Sequence, residues 1–347
     1  PGGFNNLNPA FEPLCVQALQ TAIQRSCPTA RGILLVPENH TRNKFYLENV
    51  ATLAGLIQKA GYRLHIGTLN PDIKEPTEIT LELSGRKLWY EPLERADGQV
   101  FVGDFIPCSV LLNNDLSAGI PEILRGLEQD ILPPLDLGWH KRQKSQHFGF
   151  YREVAKEFGE LMGLDPWFVD PLFRNCGQIN FLKREGWECL EANVELLLED
   201  IGAKYREYGI TEEPFVIIKS DAGTYGMGVM TAKSVEDVRN MNRKSRTHMS
   251  SAKEGRDVTG AIIQEGVYTF ETLGDDQATA EPVVYMIDQY VVGGFYRLNS
   301  QRGNQENLNA PGMRFEPLAF EEDCITPDPS CAPDDRPNRF YAYGVVA

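Results

Sequence analysis

The chain has 347 residues, 42% of them hydrophobic and 24% charged, the composition of a folded globular protein with room for about two domains at roughly 150 residues each. Small disulfide-stapled scaffolds are excluded by that length. Its 49 Asp and Glu against 34 Lys and Arg leave a net charge of −15, which repels a phosphate backbone and argues against nucleic acid as a partner.

No apolar run reaches the ~18 residues of a membrane span, and no segment reads as a signal peptide. A cytoplasmic protein with no membrane partner is expected. The cysteines (Cys15, Cys27, Cys108, Cys176, Cys189, Cys324 and Cys331) are scattered without a C-x-x-C pair and read as reduced structural thiols. The missing initiator Met and the ending GVVA read as a chain trimmed inside an apolar element.

Residues 1–30 read as an N-terminal extension. Arg31 to Val36 (RGILLV) suits a buried strand. From Lys44 to Lys59, apolar positions recur at three- and four-residue spacing and Gly61 marks a helix end, followed by a strand over Tyr62 to Leu69. This is a parallel βαβ unit and opens a domain over 31–135. Its PENHTRN turn, Pro37 to Asn43, falls at the carboxyl end of the first strand, where open α/β sheets bind ligands. ITLEL and RKLWY flank Ser84-Gly85 as a hairpin, and a further apolar stretch runs from Val100 to Leu112.

A second domain is expected over 136–347. It begins with the densest cationic cluster of an acidic chain, Gly138 to Phe148 (GWHKRQKSQHF), which is either a solvated face or an anion grip using His140, Lys141 and Arg142. Helices over Tyr151 to Met162 and Glu188 to Tyr208 show 3.6-residue periodicity and form a helical insertion (151–210).

The most informative stretch is FVIIKSDAGTYGMGVM, from Phe215. Phe215 to Ile218 predict a buried strand, and Lys219 at its end must reach solvent or an anion. A glycine-rich run follows (Gly223, Thr224, Tyr225, Gly226, Met227, Gly228), then a second strand, then Ser234 to Asp237 as a capping box. A dinucleotide fingerprint runs G-x-G-x-x-G into a helix; here the spacing differs and a strand follows. A P-loop has another count between its glycine and lysine, and a kinase lysine lies downstream of its loop, not upstream. The layout that remains resembles the ATP-grasp enzymes, in which a strand-end lysine reaches the nucleotide and a glycine-rich turn offers backbone N–H groups to phosphates. A tight hairpin with incidental glycines is the alternative.

Ala261 to Val267 reads as a strand and is similar to the ATP-grasp hinge, which places Gln264, Glu265 and Val267 along the adenosine. Glu281 to Asn299 (EPVVYMIDQYVVGGFYRLN) reads as two strands meeting near Asp288 with Gly293-Gly294 as a turn, and it delivers Arg297. A guanidinium suits a phosphate or carboxylate. Asp288, Glu306, Asn307 and Asn309 offer the hard oxygens that Mg²⁺ takes beside phosphates. The usual E-x-N of the superfamily is absent: either Asn299 fills the asparagine role, or Glu306 with Asn307 or Asn309 does, the second leaving Arg297 for anion binding. An Asn-rich turn is the alternative. Glu321 to Arg339, rich in Pro and Asp, reads as a mobile loop (321–339).

The stretches IIKSDAGTYGMGVM, EPVVYMIDQYVVGGFYRLN, ENLNAPG, LGWHKRQKSQHF and NRFYAYGVVA together resemble the short-type bacterial glutamate–cysteine ligases, from about Arg31 to the end. The resemblance implies an α/β protein with an ATP-grasp-like fold preceded by a βαβ, Rossmann-like domain. It implies a ligase that uses ATP and Mg²⁺ to form γ-glutamylcysteine from L-glutamate and L-cysteine through a γ-glutamyl phosphate; a homo-oligomer is compatible with it. Under it, Lys219 contacts phosphate or adenine, Gly223, Tyr225, Gly226, Met227 and Gly228 cover the phosphates, and Arg297 stabilises the acyl phosphate. Asp288, Glu306 and Asn307 hold the metal with Asn309 in reserve, and Arg42, Asn43, His140, Lys141 and Arg142 grip amino-acid carboxylates. Another ATP-grasp ligase, such as a glutathione synthetase, and a non-catalytic nucleotide-binding regulator remain as alternatives.

Overall fold

The structure is a computed structural model that describes residues 3–39, 43–222, 228–250 and 260–317. Its strands fall into three main sheets.

The first sheet is built from β1 (Gly32–Pro37), β2 (Arg63–Thr68), β3 (Thr77–Thr80), β4 (Lys87–Pro92), β7 (Ser109–Asn113) and β8 (Asp130–Leu132), in the order β3-β4-β2-β1-β7-β8. All neighbours are parallel except β3 and β4. β1 is apolar throughout because both its faces are covered. Ile33 and Leu35 pack under α1 (Glu12–Ser26) and α2 (Lys44–Lys59), while Leu34 and Val36 pack against Val100, Val110 and Leu124 on the other side. Between β4 and β7 the small ribbon β5 (Glu94–Ala96) and β6 (Gln99–Phe101) closes that second face. The βαβ expectation therefore matches β1-α2-β2. The Ser84-Gly85 connection is wider than two residues: Leu81 N–H donates to Arg86 O and Gly85 N–H to Leu81 O. The 100–112 stretch is broken, with strand only at β6 and β7.

The second sheet is antiparallel, in the order β11-β10-β12-β9, from β9 (Phe173–Cys176), β10 (Val216–Ser220), β11 (Val229–Ala232) and β12 (Ala261–Glu265). Alternation assigns its faces. Val216, Ile218, Ala261 and Ile263 pack on one face against Leu190, Val194, Leu197 and Ile201 of α4 (Trp187–Tyr208), leaving Lys219 and Gln264 on the other. Two short helices, α5 (Val235–Arg239) and α6 (Arg243–Ser250), follow β11, and the Ser234–Asp237 capping box is present. The expected helical insertion is interrupted: α3 (Lys144–Met162) and α4 are separated by β9, an edge strand of this sheet.

The third sheet, β13 (Thr272–Leu273), β14 (Ala278–Ile287), β15 (Tyr290–Asn299) and β16 (Arg314–Pro317), is antiparallel in chain order. Gly293-Gly294 is not a turn. β14 turns into β15 at Asp288-Gln289, and both glycines lie inside β15. A Cβ on Gly294 would stand 2.4 Å from Val283 O, and one on Gly293 would stand 3.1 Å from Phe11, so close packing of strand and N-terminal segment requires them. Phe4 meets Tyr285 edge-on at 5.3 Å, and Ile287, Val292 and Phe295 join the α1–α2 core. Residues 3–26 thus join the first sheet to the third.

Cys27, which caps α1, and Cys108, just before β7, form a disulfide. That corrects the expectation of reduced thiols throughout; Cys15, Cys176 and Cys189 are free.

Candidate active site

Lys219 is the penultimate residue of β10. Its ammonium donates to Gln264 Oε1 at 2.8 Å, across a diagonal of the β10–β12 ladder whose register sets Lys219 opposite Ile262. Burial pushes the Lys219 ammonium below its ordinary pKa, and the carboxylate of Glu281 partly offsets that.

Glu281 sits on β14 directly opposite Arg297 on β15, and the two form a half-buried ion pair at 2.5 Å. Arg297 Nε is buried with no partner among the described residues. A buried guanidinium donor without an acceptor calls for one from outside the chain.

A third cation comes from α3. Lys144 opens that helix and its ammonium donates to Ser220 O at 2.8 Å, while its backbone N–H donates to Asp221 O at 2.8 Å. The Asp221 carboxylate accepts from Ser145 N–H and Ser145 Oγ, both at 2.7 Å. The end of β10 is thereby tied to the first turn of α3. Burial holds the Lys144 ammonium down at about 8; Asp221 raises it and the charge of Lys219 lowers it further. Lys144, Lys219 and Arg297 thus converge from three separate elements, against the carboxylates of Asp221 and Glu281. Cations gathered this closely, two of them lysines whose burial lowers their pKa, mark a place suited to an anion.

The remaining expected residues divide. Gln264 is buried and faces Lys219. Gly228 is buried at the base of the β10–β11 connection, with φ 62°, and its carbonyl accepts from Ser220 N–H. Val267 is exposed just past β12. Gly223, Tyr225, Gly226, Met227 and Arg42 lie outside the described residues, as does the 321–339 loop.

Glu265 departs from its expected role. It shares the α4 face with Ala261 and Ile263, opposite to Lys219, and its carboxylate accepts from Trp167 Nε1 at 2.9 Å and Leu172 N–H at 3.0 Å. Burial raises its pKa. It anchors the connection between α3 and β9, on the face of the sheet opposite Lys219.

The expected metal set is not one site. Asp288 is at the hairpin turn, where it pairs with Arg25 of α1 at 2.6 Å. Glu306, Asn307 and Asn309 follow Asn299 at the opposite end of the ribbon, about 30 Å away at ~3.4 Å per residue. There Glu306 pairs with Arg302 at 2.8 Å and accepts from Gly303 N–H at 2.7 Å. Asn307 Oδ1 accepts from Asn309 N–H, a turn contact. Among the described residues no three His, Cys, Asp or Glu converge as a metal cage.

The described candidate carboxylate grips make contacts within the protein. Asn43 caps α2 by accepting from Tyr46 N–H at 3.1 Å. Lys141 pairs with Asp136 at 2.9 Å, and Arg142 stacks over Trp139. His140 packs beside Gly138, its Nδ1 buried without a partner among the described residues. In that cluster the cation directed at β10 is Lys144, which lies within the cationic stretch but was not among its expected grips. The periodicity places the helix start at Tyr151, seven residues after its true start at Lys144, so the first turn that carries Lys144 was not seen as helical. The strands meet at Asp288-Gln289, as expected near Asp288; Glu281 was missed because its pairing with Arg297 depends on the register of the two strands.

All 347 residues match the family model described as glutamate-cysteine ligase. In structure, the chain is similar to the crystal structure of a "Putative gamma-glutamylcysteine synthetase" from Methylobacillus flagellatus KT. The TM-score is 0.88 and the identity 55%, covering 100% of this chain and 81% of that one. A D-alanyl-alanine synthetase A from Vibrio cholerae O1 biovar eltor str. N16961 is matched at TM-score 0.39 and 8% identity, over 84% of this chain and 75% of that one, too slight a likeness to bear on the fold. No curated protein matches the chain.

Proposed function

This chain belongs to the glutamate–cysteine ligase family, and from that premise we propose that the Lys144, Lys219, Glu281 and Arg297 cluster is where its ATP and glutamate meet. It is an ATP-dependent ligase joining L-glutamate to L-cysteine in glutathione biosynthesis.

The reading supposes a γ-glutamyl phosphate. A γ-carboxylate oxygen of glutamate attacks the terminal phosphorus of ATP and ADP leaves; the cysteine amine then attacks the activated carbonyl carbon, phosphate leaves, and the amine proton goes to solvent. No protein nucleophile is needed, so the chain's part is to hold anions close together and neutralise developing charge. Lys219 and Lys144 suit phosphate oxygens because both are desolvated cations. Arg297, once a phosphate replaces Glu281, suits the equatorial oxygens of the transferring group bidentately. Gln264 fixes Lys219. Gly228 and the glycine run before it remain our assignment for the turn over the phosphates, and Val267 for the adenine edge.

The donor set fits a divalent ion carried by the nucleotide, since Mg²⁺ takes one or two carboxylates beside phosphates and keeps its waters. Glu281, freed from Arg297, is the carboxylate among the cations that would hold it. Bound there, Mg²⁺ would neutralise phosphate charge.

We further read the two antiparallel sheets, with Lys219 on one and Glu281 and Arg297 on the other, as an ATP-grasp-like unit over 136–347, preceded by the βαβ domain over 31–135. The reading keeps a cytoplasmic enzyme acting on small molecules. The observation that carries it is the convergence of Lys144, Lys219 and Arg297 from three elements. An ADP-release assay tests it: release should require glutamate and rise with cysteine, and release that instead required γ-glutamylcysteine plus glycine would move the chain to a different ligation.

A further inference from the structure

On the face of the second sheet turned away from Lys219, Cys176 ends β9 and Cys189 lies in the first turn of α4. Their sulfurs are 3.2 Å apart, the Cys189 thiol donating to Cys176 Sγ. Asn193, one helical turn on, donates from Nδ2 to Cys189 Sγ at 3.2 Å and to Cys176 Sγ at 3.5 Å. A disulfide needs sulfurs at about 2.05 Å, so closing the pair takes a movement of roughly 1 Å between an edge strand and a helix terminus. Cys189 is exposed and Cys176 buried. The arrangement therefore has an accessible sulfur, an enclosed one behind it, and an amide placed to stabilise charge on either.

We infer that Cys176 and Cys189 are a reversible dithiol–disulfide site whose oxidant is a low-molecular-weight disulfide. The Cys189 thiolate attacks one sulfur of the small disulfide RSSR, forming a mixed disulfide and releasing RS⁻. Cys176, losing its proton, attacks Cys189 Sγ and releases the second RS⁻. The thiolates take up the two protons, so two protein thiols and RSSR give one protein disulfide and two RSH. Burial raises the Cys176 thiol above its ordinary pKa, which suits the enclosed, second-acting partner. The enzyme's substrate and product are thiols whose oxidised forms belong to this class of oxidant, although the site stands on its own geometry and not on the ligase reading. The disulfide would tie the first turn of α4 to the edge of the sheet that carries Lys219, on its opposite face.

Lys183 and Arg184 lie between the two cysteines, so trypsin separates them onto different peptides and a cross-link is read directly by mass. The protein is incubated with oxidised glutathione as the probe, then digested without reduction. The expected result is a cross-linked pair that disappears with dithiothreitol. Cys176→Ser should instead trap a glutathione mixed disulfide on Cys189, and Cys189→Ser should leave Cys176 unmodified while keeping ligase activity. Separate, unmodified peptides in the wild type would overturn the inference, as would glutathione on Cys176 in Cys189→Ser. Loss of ADP release in the untreated wild type would count against the ligase reading and leave this site untouched.

Discussion

Glu281 and Arg297 face each other across the β14–β15 ribbon as a 2.5 Å ion pair, and the same carboxylate acts on Lys219 of the neighbouring sheet. One acid thus stands between two of the three cations proposed to hold ATP, and in the proposed reaction phosphate takes its place beside Arg297.

Arg297→Ala should lower kcat by about 10²–10³-fold, the usual cost of removing a transition-state donor. Arg297→Lys should recover only part, because a point charge cannot replace a fork. Steady-state kinetics with circular dichroism as a folding control checks this; a change confined to KM would mean that Arg297 only binds.

The Lys144 ammonium, held at about 8 by burial first and by Lys219 in addition, gives a pH dependence with a definite sign. An anion favours its protonated form, so ATP affinity should fall as pH rises through about 8. Stability of the empty protein runs the other way. The folded pKa lies below the unfolded value of about 10.4, so the unfolded chain holds more protons between those values and stability rises with pH across that window. Calorimetric ATP titration from pH 7 to 9 should show the loss for the wild type and a flattened profile for Lys144→Arg. Coincident profiles would remove Lys144 from the site.

Glu265→Ala should cost about 2–3 kcal/mol of stability, because Trp167 Nε1 and Leu172 N–H lose their buried acceptor. The KM for ATP should change less than twofold. Denaturant melts and kinetics together decide: an unchanged midpoint with a raised KM would restore a nucleotide contact.

Asp288→Asn should leave the Mg²⁺ dependence of the ligase unaltered and cost less than about 1 kcal/mol, the ordinary worth of an exposed ion pair such as Arg25–Asp288. A raised Mg²⁺ requirement would place Asp288 at the metal after all.

Lys219 and the βαβ unit were legible because their signals are local: an apolar run ended by a charge before glycines, and a helix period between two strands. The rest depended on parity and register. In β12 every residue is buried, so nothing in its apolarity says that Gln264 faces Lys219 while Glu265 faces α4; only counting alternate residues from Ile263 does. In the long hairpin the meeting of the strands near Asp288 was legible, but Gly293-Gly294 was read as a turn, since glycines forced by a close strand and by Phe11 look the same in sequence as glycines that bend a chain. β9 was missed because Phe173–Cys176 is short and half polar, an edge strand defined by its neighbour and not by its own periodicity.

The most direct test of the central claim is Mg·ATP binding to Lys219→Met, a change that keeps the stem and removes the charge. Binding should be at least tenfold weaker by calorimetry, with ADP release dependent on glutamate and cysteine reduced by at least a hundredfold, in a protein whose melting temperature is not lowered. Binding and turnover equal to the wild type would contradict it.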